Sequence, residues 1–140
     1  DEMSIVLPNP PDQPGSGGGT EHTYELQVQR ELTEWFINTM PVFIALTPRR
    51  RVRSPSGGYS WQDQPPRETQ TLRLCEPPDP GLQVQGSDGK LRDVQWLLVA
   101  RWDAVLGRYD AFELDGRQWE VADLMPYNGW ERRAAVTARG

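Results

Sequence analysis

Residues 93–140 read DVQWLLVARWDAVLGRYDAFELDGRQWEVADLMPYNGWERRAAVTARG, and this stretch decides the fold. Residues 111–114 and 117–124 are two strand-like runs separated by Asp115 and Gly116. An Asp-Gly pair favours a two-residue hairpin turn, because both central residues of that turn need a positive φ. The sequence therefore predicts a tight hairpin here.

The flanking residues extend this pattern into a larger sheet. In the second run Trp119 alternates with Glu120, as expected for a strand with one buried face. Asn128 and Gly129 repeat the turn signal, and residues 131–139 supply another strand. Asp88 and Gly89 mark one further hairpin turn upstream.

Strand patterns and turn signals recur through most of the remaining chain, whereas helical spacing is scarce. We therefore expect a mainly β fold, a small antiparallel β-barrel with a long projecting loop and an extended N-terminal arm. The barrel strands are predicted at residues 42–47, 69–76, 82–86, 91–102, 111–114, 117–124 and 131–138.

The first part of the chain differs in composition. Residues 1–20 are rich in Pro and Gly, which favours a flexible segment. Residues 21–30 alternate like an edge strand, and residues 31–40 are compatible with one or two helical turns ending before Pro41. We therefore expect a flexible or partner-bound arm at 1–30 and a single barrel domain at 31–140. The arm is either a tail of no consequence or a segment that orders against a neighbouring subunit.

The residues between two predicted strands form the longest excursion. Residues 48–68 carry an Arg-rich run, a Ser-Pro-Ser-Gly-Gly loop and an aromatic segment, and we predict a projecting loop. The Arg run could pair with an acidic partner protein, contact nucleic-acid phosphates, or simply be a solvated strand end. The formal net charge of −5 argues against nucleic acid.

Residue types for catalysis or metal binding are scarce. His22 is the only histidine and Cys75 the only cysteine, which disfavours histidine chemistry and a Cys-based nucleophile. Asp103 and Asp110 flank a connecting loop, and Asp115 is explained by the Asp115-Gly116 hairpin turn. A catalytic carboxylate cluster is therefore not favoured. We expect no enzyme activity, no cofactor and no metal. No run approaches the ~18 apolar residues of a membrane span.

The aromatic residues offer a second interpretation. Trp61, Trp102, Trp119, Tyr127 and Trp130 could stack on bases if the barrel were OB-like. Trp119 lies among acidic residues, however, so packing or subunit contacts explain the aromatic residues better.

Two stretches resemble the head-to-tail connector, or stopper, proteins of long-tailed bacteriophages, especially those of actinobacterial hosts. Residues 44–74 (IALTPRRRVRSPSGGYSWQDQPPRETQTLRL) are similar to the strand, Arg-rich segment and aromatic excursion near the start of such proteins. Residues 106–140 are similar to their end, and residues 1–30 match nothing in the family. The two stretches cover about half the chain.

The resemblance implies a virion protein, made in the host cytoplasm, that forms a homo-oligomeric ring at the head–tail junction. Such a ring closes the DNA-filled head and docks the tail. Its partners would be the portal or adaptor protein on one side, the tail terminator or tail tube on the other, and packaged DNA contacted without sequence reading. Residues 52–68 would be the loop that contributes to the channel or its plug.

The Arg run and the loop that the resemblance implies together give the candidate site. The residues expected at a subunit interface or in the channel loop are Arg49, Arg50, Arg51, Arg53, Tyr59, Trp61 and Arg67. Two alternatives stay open: another connector-region subunit, such as a tail terminator or an adaptor, and an OB-like protein that binds single-stranded nucleic acid.

Overall fold

The computed structural model describes residues 17–139, and it describes side chains from residue 23 onward. Within that range one helix precedes ten strands. Their bounds are α1 Gly17–Thr39, β1 Val42–Ile44, β2 Arg49–Arg53, β3 Tyr59–Asp63, β4 Gln70–Cys75, β5 Gln83–Gln85, β6 Leu91–Asp93, β7 Trp96–Arg101, β8 Ala111–Leu114, β9 Arg117–Leu124 and β10 Glu131–Ala138.

Six of the strands form one antiparallel sheet in the order β1-β4-β7-β10-β9-β8. Its two edges nearly meet, because Thr47 and Ala111 exchange backbone hydrogen bonds of 2.8 and 2.9 Å. The sheet is therefore a nearly closed barrel. The expected mainly β fold with a small antiparallel barrel is confirmed.

Alternate residues of these strands fill the barrel interior. The buried cluster comprises Ile44, Leu46, Leu72, Leu98, Ala100, Phe112, Trp119, Val121, Ala134 and Val136. Trp119 packs edge-on against Trp96 with 6.4 Å between ring centroids. Trp119 is thus a core residue, as the packing interpretation of the aromatic residues predicted.

The predicted turns form where the residue chemistry placed them. Asp115 and Gly116 both have positive φ, 54° and 77°, in the turn between β8 and β9. Gly89 (φ 83°) follows Asp88 between β5 and β6. Gly129 (φ 95°) follows Asn128.

Asn128 also prepares the start of the last strand. Its side-chain oxygen accepts hydrogen bonds from the backbone N–H groups of Trp130 and Glu131, at 3.0 and 3.1 Å. The turn is therefore held by the kind of local Asn contact for which the residue is favoured at turns.

The strand predicted at 91–102 divides into two. β6 pairs with β5 in a separate hairpin, whereas β7 joins the barrel between β4 and β10. Val94 lies at the division, buried, with its N–H donated to Leu82 O over 3.0 Å. Residues 91–95 (LRDVQ) are mostly polar, and the apolar run begins only at Trp96, where β7 begins, so the change in composition coincides with the change of partner.

The strand predicted at 21–30 was wrong, because these residues belong to α1. Leu26, Arg30, Thr33 and Ile37 recur at spacings of four, three and four, which places them on one helical face. This face lies on the outside of the barrel over β4 and β7. The predicted helical turns at 31–40 are confirmed, and α1 ends before Pro41.

The boundary predicted at residue 30 falls inside α1, so the helical part of the expected arm belongs to the ordered domain. Residues 1–16, the remainder of that arm, lie outside the described residues. In the described part of the chain, no helix is both long and apolar enough to cross a membrane.

The loop predicted at 48–68 is largely a second hairpin. β2 and β3 pair in register from Arg49 with Asp63 to Arg53 with Tyr59. The prediction of irregular structure from residue 59 onward was therefore wrong for β3. Polar residues on both faces and two nearby prolines concealed a strand that pairs only with β2.

Candidate functional site

The β2–β3 hairpin, residues 49–63, contains six of the seven residues that the sequence singled out. Its register places Arg49, Arg51 and Arg53 on one face, opposite Asp63, Trp61 and Tyr59 respectively. Arg50 lies on the other face. The structure thus brings the predicted residues together, but it gives them different surroundings.

The turn of the hairpin extends into solvent. Gly57 has a φ of 101° and donates its N–H to Ser54 O over 2.9 Å, while Ser54 N–H bonds back to Gly58 O. A side-chain atom added at Gly57 or Gly58 would meet nothing within 4 Å. The tip, residues 50–60, is therefore open to a partner.

The base of the hairpin is fixed by a buried ion pair. Arg49 Nη1 lies 3.2 Å from Glu120 Oε1, and the two side chains are only 6% and 3% exposed. Ser87 donates its hydroxyl and its backbone N–H to the same carboxylate, each over 2.7 Å. This satisfies the charge that burial would otherwise leave isolated.

Trp61 strengthens the same anchor. Its indole N–H donates to Ser87 O over 2.9 Å, and its ring packs edge-on against Tyr109 at 5.1 Å. Arg49 lies over the Trp61 ring, 5.3 Å from its centroid. Trp61 therefore joins the hairpin to the β5–β6 turn and to the loop before β8.

Arg67 also has a partner within the chain. Its guanidinium makes a two-bond contact with Asp110, at 2.9 and 3.4 Å, and Asp110 accepts a further bond from Gly107 N–H. Asp110 is buried. Arg67 and Asp110 thus fix the loop before β8, where Tyr109 has a positive φ of 70°.

The remaining four residues stay available. Arg50, Arg51 and Arg53 form no ion pair with any described carboxylate, and all three are exposed. Tyr59 is 59% exposed, with the Arg51 guanidinium 4.2 Å from its ring centroid. The tip therefore offers guanidinium groups beside an aromatic ring, a combination suited to acidic or aromatic partners.

The sequence did not predict the structural roles of Glu120 and Asp110. Glu120 alternates with Trp119 and was expected to face solvent, but the hairpin base and Ser87 cover it. Asp110 was assigned only to a loop edge. No local signal could have found either partner, because Arg49 is 71 positions from Glu120 and Arg67 is 43 from Asp110.

In the turn between β5 and β6, the pKa values of Asp88 and Arg92 differ from their usual values. Arg92 donates a hydrogen bond to the Asp88 carboxylate, and Lys90 N–H donates another over 3.0 Å. These contacts lower the pKa of Asp88 below its usual value. The same contact raises the pKa of Arg92.

In the described part of the chain, no group of His, Cys, Asp and Glu side chains is arranged to hold a metal ion. No protein-family model matches the sequence, and no curated protein matches it. The functional interpretation therefore depends on the hairpin, its chemistry and the sequence resemblance.

Proposed function

We propose that this protein is a subunit of a ring at the head–tail interface of a long-tailed bacteriophage. The ring closes the DNA-filled capsid and docks the tail. The portal or adaptor protein lies on its head side, and the tail terminator or tail tube lies on its tail side. The chain acts as a structural component of the virion and not as an enzyme.

One observation carries the proposal: a hairpin with three exposed guanidinium groups, none of them ion-paired with a described carboxylate, is anchored to a small, nearly closed barrel. Holding Arg49 and Trp61 in place positions the backbone of the tip, so binding has to order the arginine side chains but not the hairpin that carries them. Assembly subunits need such a surface, because each must recognise neighbours in a fixed orientation.

The order of segments supports the phage assignment. The Arg-rich segment and the Asp-Gly turn that carry the resemblance to connector proteins lie in the β2–β3 and β8–β9 hairpins. Another connector-region subunit, such as a tail terminator, is the close alternative. An adaptor is a weaker alternative, because adaptors of this type are usually helical and this barrel is not.

Electron microscopy of particles made by a phage lacking this chain tests the proposal. We expect DNA-filled or leaking heads beside separate, finished tails, because the junction would be missing. Complementation with the wild-type chain should restore tailed virions. Normal virions in the absence of the chain would refute the connector function.

The OB-like alternative makes a different prediction. A single-strand binder should bind a fluorescent oligonucleotide at low salt, lose affinity as salt rises, and weaken when Arg50, Arg51 and Arg53 become Ala. We expect no such binding, because the acidic chain opposes it. Salt-sensitive binding that depends on these arginines would favour the alternative.

A further inference from the structure

Helix α1 has two differently used faces. The face with Leu26, Arg30, Thr33 and Ile37 lies on the barrel, where Ile37 and Thr33 are buried. Arg30 donates to Gly129 O over 2.9 Å and covers the Trp102 ring at 3.8 Å. The contacts of this face with the barrel account for its residues.

The second face is apolar but open to solvent. Tyr24, Val28, Leu32 and Trp35 follow at spacings of four, four and three, which aligns them along the helix. Leu32 is 56% exposed and Trp35 is 67% exposed. Exposed Trp and Tyr in one stripe are typical of interface anchors. We call these four residues the α1 stripe.

A groove continues the α1 stripe toward the barrel. It has a volume of about 490 Å³ and lies between the first half of α1 and the turn before β10, where Asn128 and Trp130 complete its wall. Glu25 lines the groove, and Glu31 lies one turn before Trp35 on the other border of the α1 stripe.

The charge around the α1 stripe has one sign. Arg30 is the only arginine or lysine of α1, and it is held against Trp102. Glu25, Glu31 and Glu34 are exposed, and Glu34 is paired with Arg101. The outer side of α1 is thus apolar with an acidic border, whereas the hairpin tip carries only basic charge.

We propose that the hairpin tip of one copy docks on the α1 stripe of a second copy. Arg51 and Arg53 would meet Glu25 and Glu31, and Tyr59 would enter the groove between α1 and Trp130. The inference rests on the proposed ring and names the two surfaces that build it. Complementary charge fixes orientation at an interface of this kind.

The positions of the two surfaces fit a head-to-tail contact. α1 covers β4 and β7, whereas the hairpin base is anchored on β9, two or three strands further around the barrel. One copy therefore offers the two surfaces on different sides. Repeating such a contact generates a ring when the rotation closes. An isologous pairing of α1 with α1 would instead oppose Glu25 and Glu31 to like charges.

Cross-linking of purified protein tests this contact. In a Cys75→Ser background, the Arg53→Cys variant is mixed with a differently tagged Glu31→Cys variant under mild oxidation. We expect a disulfide-linked heterodimer in excess over the control pair Lys90→Cys with Glu31→Cys. Lys90 is also exposed, as Arg53 is, but it lies on the β5–β6 turn. No excess over the control pair would overturn the proposal.

Charge exchange then tests the chemistry of the contact. Adding Arg51→Glu to the Arg53→Cys partner should lower the cross-linked fraction by about tenfold, because it sets like charges together in place of an ion pair. Adding Glu25→Arg to the other partner should restore it. An unchanged yield with Arg51→Glu, or no restoration, would show that the hairpin tip docks elsewhere.

The two proposals fail in distinguishable ways. If the purified protein forms the specific cross-link but a phage lacking the chain still makes normal virions, the contact is retained and the connector function is refuted. Failed head–tail joining without any cross-link would retain the function and refute the contact, in which case the hairpin binds a different connector protein.

Discussion

Arg49 and Arg51 lie two residues apart on the same face of β2, yet their surroundings are opposite. Arg49 is buried, ion-paired with Glu120 and covered by Trp61, whereas Arg51 is exposed and touches only the ring of Tyr59 among the contacts described for its side chain. The base of the hairpin is thus held by contacts within the chain, whereas the tip is open to solvent. Identical residues in one short run thus differ in their contacts because of burial alone.

The largest expected effect comes from breaking the base. Arg49→Ala leaves the Glu120 carboxylate buried without its cation, so the free energy of unfolding should fall by about 3–5 kcal/mol. Urea unfolding followed by tryptophan fluorescence measures this difference. The matched control, Arg51→Ala, should change stability by less than about 0.5 kcal/mol, because an exposed side chain away from caps and cores contributes little.

These two variants test the comparison directly. Equal small losses would show that water reaches Glu120 and that the base is not a buried anchor. Equal large losses would show that the tip contributes to folding. Either result would contradict the conclusion that the base of the hairpin stabilises the fold and that the tip does not.

The second effect concerns the loop that supports the hairpin. Asp110→Ala removes the carboxylate that accepts from Arg67 and from Gly107 N–H, so stability should fall by about 2–3 kcal/mol. Asp103→Ala is its control, since the Asp103–Arg101 pair is exposed and should contribute less than about 1 kcal/mol. Similar losses for both variants would contradict the structural assignment of Asp110.

Local and distant contacts also differ in how well the sequence predicts them. Asp115 and Gly116 determine their own turn, because the requirement for positive φ is local. The alternation around Trp119 likewise predicts β9. Barrel strands bounded by such signals were therefore predicted nearly to the residue.

The rest depended on contacts between distant parts of the chain. Tyr24, Leu26 and Val28 alternate as in a strand, but docking of Leu26 and Ile37 on the barrel stabilises a helix instead. Glu120 was expected to face solvent, because no residue near it in the sequence indicates that Arg49, 71 positions away, covers it. The Arg run was identified as a site from its composition, but its division into base and tip required the register of β2 with β3.

A third prediction compares two guanidinium–aromatic contacts. Arg30 covers Trp102 at 3.8 Å and also donates to Gly129 O, whereas Arg51 covers the exposed Tyr59 at 4.2 Å. Double-mutant cycles should give a coupling of about 1–2 kcal/mol for Arg30 with Trp102 and about 0.5 kcal/mol for Arg51 with Tyr59. A stronger coupling at the tip would mean that its arginines are already committed within the chain.

The smallest effect is electrostatic and lies next to the base, in the β5–β6 turn that also carries Ser87. The hydrogen bond from Arg92, with that from Lys90 N–H, lowers the pKa of Asp88 in the folded protein. Asp88 therefore contributes stability that is present above its unfolded pKa and is lost as pH falls through the lower folded pKa. The melting temperature of Asp88→Asn should lie slightly below that of the wild type at neutral pH and should converge with it in acid.

Arg92→Gln identifies the cause of this pH dependence. It removes the main contact that lowers the pKa, so adding Asp88→Asn to it should produce little further change in melting temperature at any pH. Arg92→Gln also removes a charge that interacts with Glu120, so Arg92→Gln alone is the reference for the double variant. A gap between wild type and Asp88→Asn that widened in acid would reverse the sign of the linkage and show that the protonated form of Asp88 is the one that the fold prefers.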